Sequence, residues 1–109
     1  MKQFQSYADA MGHSTDIVEP SDHRYAVVLA AGVPKSIAVP AHASAVLFNA
    51  SAPFWVQYNG AANLPTADAL DGAAPELSPN ARRICGVASL GLVSSHDCTV
   101  SLSFFQVTA

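Results

Sequence analysis

Apolar and polar residues alternate with period two near the end of the chain: Cys98, Val100, Leu102 and Phe104 on one side, Thr99, Ser101 and Ser103 on the other. Successive side chains of a strand point to opposite faces, so Cys98 to Val107 predicts a half-buried antiparallel strand with Val100, Leu102 and Phe104 turned inward. Shorter β-rich runs precede it. Arg24 to Ala30 closes at Gly32, while Ile37 and Val39 alternate between Pro34 and Pro40, a flanking that predicts an edge strand or a short one. Ala45 to Phe48 and Phe54 to Tyr58 flank Asn49-Ala50-Ser51-Ala52-Pro53, which reads as a hairpin or a tight connection. Arg82 to Cys85 and Val87 to Val93 supply one strand, or two broken at Gly86 or Gly91.

In the run Phe54 to Tyr58 the set Phe54, Val56, Tyr58 alternates with Trp55, Gln57 and Asn59, and both sets carry aromatics. One face of this strand therefore belongs to a core and the other lies against something other than plain water. After Asn59-Gly60 comes a long loop with Pro65, Pro75 and Pro79 and the acids Asp68 and Asp71; loops of that length are usually functional or docked. Within it, Ala67 to Ala74 has the composition for a single helical turn.

Residues 1–22 hold Phe4, Tyr7, Met11, Ile17 and Val18, too scattered for a helical stripe or strict alternation, and read as an extended N-terminal arm whose acidic end is Asp16, Glu19 and Asp22. Residues 23–109 read as one domain. Roughly six to eight short strands with turn signals between them make the fold all-β, an antiparallel β-sandwich or small jelly roll.

Composition changes this picture in one respect. Charged residues make up 12% of the 109 residues and apolar ones 50%, whereas a typical soluble domain is about 25% charged. A small monomer needs polar groups to cover its surface, so a chain this poor in charge suits a surface covered by neighbouring subunits. A net charge of −3 with five Lys and Arg argues against nucleic acid. No apolar run is long enough for a transmembrane helix, and the amino terminus lacks the apolar core of a signal peptide. These features predict no membrane partner and a product that stays in the cytoplasm or enters an assembly.

Candidate chemistry is sparse. Cys85 and Cys98 are expected to be buried and reduced, although strand neighbours could also form a disulfide. His96 and Cys98 share a strand face, but His13, His23 and His42 lack ligand spacing to them, so no metal is expected. Ser95-His96-Asp97 has the residue types of a hydrolase triad, yet contiguous residues on an extended strand cannot converge on one another. Asp68 and Asp71 before Gly72 lack the graded oxygen series of a calcium loop. Trp55 and Tyr58 would make a sugar-stacking platform only if both were exposed on one concave face. No catalytic, cofactor-binding or metal residues are assigned. The residues expected to touch a partner are Phe4, Tyr7, Ile17 and Val18 in the arm, Trp55, and Leu64, Leu70 and Leu77 in the long loop, Asn63 to Pro79; those of the arm and loop are apolar anchors on otherwise aperiodic backbone.

Several segments carry a family likeness: Val39-Pro40-Ala41 before a strand, Phe54-Trp55-Val56-Gln57-Tyr58-Asn59-Gly60, Pro65-Thr66-Ala67-Asp68 with Asp71-Gly72, Pro75-Glu76-Leu77-Ser78-Pro79 with Arg82, and the strands Gly86 to Leu92 and Cys98 to Phe104. Over Pro40 to Phe105 the chain resembles small all-β virion structural proteins of tailed bacteriophages, of the head decoration or cement kind. The resemblance implies a virion component assembled in the host cytoplasm, with the major capsid protein or other virion proteins as partners, homo-oligomerisation and no catalytic residues. Within that class, a neck, tail or fibre-attachment component is the alternative; from another class, a carbohydrate-binding β-sandwich module.

Overall fold

The structure, a computed structural model, describes Met1, the strand backbones 6–8 and 14–18, and residues 20–106. Among these residues there is no helix, and every strand pairing is antiparallel. Strands β1 (Ser6–Ala8) and β2 (Ser14–Val18) pair with each other and with neither main sheet, so the segment read as an extended arm contains a small hairpin. Phe4 and Glu19 lie outside the described residues, as do the side chains of Tyr7, Asp16, Ile17 and Val18.

The rest of the chain forms β3 (Arg24–Leu29), β4 (Lys35–Ala38), β5 (Ala45–Ala50), β6 (Trp55–Tyr58), β7 (Glu76–Leu77), β8 (Ala81–Arg83), β9 (Ser89–Val93) and β10 (Cys98–Phe105). They make two four-stranded sheets, ordered β3-β10-β5-β8 and β4-β9-β6-β7. The order follows from one long folded hairpin. β3 pairs with β10, β4 with β9, β5 with β8 and β6 with β7, while β10–β5 and β9–β6 pairings stitch each sheet together. Rolled up, these pairs alternate between the two sheets, which is the jelly-roll arrangement of two Greek keys.

The core fills the space between the sheets. Val100, Leu102 and Phe104 of β10 are buried while Thr99 and Ser101 are exposed, the register that strict alternation demands. They pack with Val27 and Leu29 of β3, Val46 and Phe48 of β5, and Val56, Leu90 and Leu92 of the facing sheet. Phe48 meets Phe54, just ahead of β6, at 5.9 Å between ring centroids and so ties sheet to sheet. Each such fully buried side chain contributes about 1.5–3 kcal/mol relative to exposure. Buried hydroxyls are satisfied: Ser94 donates to the Pro53 carbonyl at 2.7 Å, and Ser21 donates to the Phe104 carbonyl at 2.5 Å while accepting the His23 N–H. Among the described residues, Ser21 thus fastens the chain to β10 from within the segment 1–22.

Pro34 and Pro40 flank β4, which is an edge strand. Asn49 to Pro53 joins strands of different sheets and is a tight connection rather than a hairpin, and Ala67 to Ala74 forms no helical turn. Between β8 and β9 the break falls at Gly86, whose φ of 81° suits the turn closed by the Val87 N–H to the Ile84 carbonyl at 3.0 Å. Cys85 sits in that turn and is exposed, contrary to the expectation that both thiols are buried. A residue in a surface turn has no strand neighbour to cover it. Cys98 is buried, and both thiols are free. Ile84 bonds Ser44, which itself bonds Phe105, so Cys85 lies by the end of β10 opposite Cys98, roughly 20 Å away along the strand.

Candidate functional site

Alternation along β6 sends Phe54, Val56 and Tyr58 inward and Trp55 and Gln57 to the outer face of the sheet β4-β9-β6-β7. The register sets Trp55 between Val93 on β9 and Leu77 on β7. Across this row exposure rises: Val93 is buried, Trp55 half-buried and Leu77 55% exposed. Gln57 stands opposite Gly91.

Gly91 explains where the long loop goes. A Cβ built on it would lie 2.4 Å from the Gly60 carbonyl oxygen and 2.7 Å from the Ala62 nitrogen, so the loop backbone rests directly on β9 and only glycine permits the approach. Ala62 is buried at the contact. Asn59, at φ 58°, starts the loop: its N–H donates to Ser89, its Oδ1 accepts the Ala88 N–H at 2.7 Å, and its Nδ2 donates to Gly86. At the far end the Gln57 amide donates to the Ala73 carbonyl at 2.8 Å, and Asp71 accepts the Ala73 N–H. Pinned at both ends over its own sheet, the loop leaves Leu64 half-buried and Leu70 90% exposed, with exposed Asp68 and Asp71 on either side. Trp55 and Leu77 thus share one face of the sheet with this loop, while Leu70 projects from the loop itself.

Below this face, on the open side between β7 and β8, a polar clasp joins the sheets. Tyr58 donates its hydroxyl to Glu76 Oε1 at 2.5 Å, and Arg82 reaches both Glu76 oxygens, with Nη2 to Oε2 at 2.9 Å. Tyr58 and Glu76 belong to one sheet and Arg82 to the other. The Arg82 guanidinium, and then the Tyr58 hydroxyl, hold the Glu76 carboxyl below its usual range. Burial first, and the Glu76 carboxylate second, push the Tyr58 hydroxyl well above its ordinary value. A carboxylate engaged at both oxygens serves as a cross-link between sheets. Nothing in the sequence signalled this trio, because its pairing depends on the roll of the sheets.

The remaining candidates do not converge. Trp55 and Tyr58 lie on opposite faces of their sheet and form no stacking platform. Ser95, His96 and Asp97 occupy the β9–β10 turn, where Asp97 accepts the Ala31 N–H at 3.0 Å and Ser95 bonds His96 Nδ1 at 3.0 Å. Among the described residues no cluster of His, Cys, Asp and Glu is arranged to hold a metal ion. No protein-family model, curated protein or solved structure matches the chain.

Proposed function

We propose that this chain is a capsid decoration protein of a tailed bacteriophage, seated across adjacent major-capsid subunits through Trp55, Leu77 and the Leu70 loop. The observation that carries this reading is the exposure of Leu70 at 90% and Leu77 at 55%, the exposed leucines among the described residues. An exposed leucine on a docked loop and another on the neighbouring strand β7 suit insertion into pockets of a partner. The low charge of the chain favours the same reading, since a charge-poor surface is suited to burial against neighbours. The role is structural rather than enzymatic, with the particle as its location and no nucleic acid or membrane as partner. A neck, tail or fibre-attachment position would use the same face and differs only in the subunit it meets.

The test is co-sedimentation with capsid shells that lack this chain. Replacing Leu70 and Leu77 together by Asp keeps the fold, because both side chains are exposed, and is expected to weaken binding at least tenfold. Unchanged binding would remove this face from the contact.

A further inference from the structure

The sheet β3-β10-β5-β8 ends on β3, and no described strand lies on its far side. Two hydrogen bonds fix which backbone groups face that open side. The Phe104 N–H donates to the His23 carbonyl at 2.9 Å, and alternate residues of a strand present both backbone groups to the same side. His23, Tyr25, Val27 and Leu29 therefore turn toward β10. From the other side, the Lys35 ammonium donates to the Val28 carbonyl at 2.8 Å, which sets Arg24, Ala26 and Val28 outward. The side chains of these three are exposed, Val28 at 65%. Beside Val28 opens a cleft of about 590 Å³ lined by Val33, Lys35, Asp97 and Thr99 among others.

We infer that this edge pairs with the same edge of a second copy, antiparallel about a two-fold axis at Ala26, and that Lys35 is the latch that holds it closed. The edge is self-complementary. About that axis Ala26 faces its counterpart and Arg24 faces Val28, and because all three turn outward each pair exchanges both N–H···O bonds. The charges match as well. Arg24 of the arriving copy reaches the mouth of the cleft beside Val28, where Asp97 is the acid in the lining, and β3 itself carries no acid. At the axis stands a small uncharged pair rather than the charges or prolines that usually blunt an exposed edge.

Lys35 opposes the pairing in two ways: it occupies the Val28 carbonyl that must accept the Arg24 N–H, and it sets a positive charge beside the arriving guanidinium. High local concentration, as on a crowded surface, favours the paired form by mass action. The inference stands apart from the capsid reading, since purified protein alone tests it.

Sedimentation equilibrium over a concentration series reads the dimer constant of the full chain and of Lys35→Met, and hydrogen exchange reads the edge. Lys35→Met is expected to dimerise at least tenfold more tightly than the parent. In that dimer the Ala26 amide exchanges slowly and returns to fast exchange on dilution, while the Val27 amide, bonded to β10, stays protected throughout. Adding Ala26→Asp puts like charges opposite each other at the axis and returns the protein to monomer. Should that variant melt too early, Arg24→Glu, which brings an acid to Asp97, replaces it with the same expected loss. Lys35→Met no tighter than the parent, or a dimer in which the Ala26 amide exchanges freely, overturns the assignment.

Discussion

Replacing Gly91 by Ala adds one methyl group where β9 meets the loop that follows β6. An ordinary contact begins at 3.4 Å and the new Cβ would stand 2.4 Å from the Gly60 oxygen, so that carbonyl must retreat by about 1 Å. The obstacles are backbone atoms of Gly60 and Ala62 rather than the end of a flexible side chain. Ala also restricts the unfolded chain, which favours folding by about 0.4–1 kcal/mol. Overpacking costs about 1–3 kcal/mol, and straining the bonds at Asn59 adds about 0.5–1.5 kcal/mol for each one lost. The steric effect wins, leaving a net loss of about 2 kcal/mol. At about 4–8 °C per kcal/mol for a domain of this size, the melting temperature should fall by roughly 8–16 °C. Thermal melts followed by far-ultraviolet circular dichroism read the loss, and hydrogen exchange at Ala62 reads release of the loop. A Gly91→Ala protein as stable as the parent would refute the docking of this loop on β9.

Leu102→Ala should cost about 2–5 kcal/mol in chemical denaturation, because the side chain is fully buried and the cavity cannot collapse between two sheets; no loss would place β10 elsewhere. A thiol reagent should label Cys85 in the native protein and Cys98 only after unfolding, and two fast-reacting thiols in the folded state would contradict the burial of Cys98. Because the folded Glu76 carboxyl titrates below its ordinary value of 4.5, its contribution is present above that pH and is lost as pH falls through the depressed value. Glu76→Gln should therefore flatten the acid side of the stability curve, and identical acid limbs would show that the clasp does not couple to stability.

The alternation of β10 was readable because one face of that strand is core and the other solvent, so period two had a single consistent register. The edge position of β4 followed from Pro34 and Pro40, which cannot both lie within a central strand. The order of strands across each sheet was less accessible, since short runs of similar composition do not state their partners. The expectation that Cys85 is buried fails because the run Arg82 to Cys85 is not all strand: β8 ends at Arg83, and Cys85 falls in the exposed turn at Gly86. On the candidate face, Trp55, Leu64, Leu70 and Leu77 were visible as apolar residues in excess of what their segments need. That Trp55 and Leu77 are cross-strand neighbours, and that Gly91 seats the loop, depends on register, which composition does not carry. The clasp of Tyr58, Glu76 and Arg82 was invisible for the same reason.

A place in the particle is tested by quantitative mass spectrometry of tailed particles purified by density gradient from cells that encode this chain. A decoration protein should appear in the purified heads at a fixed ratio to the major capsid protein, and the variant with Leu70 and Leu77 replaced by Asp should remain in the soluble lysate. Particles free of the chain, with all of it in the soluble fraction, would rule out a decoration role.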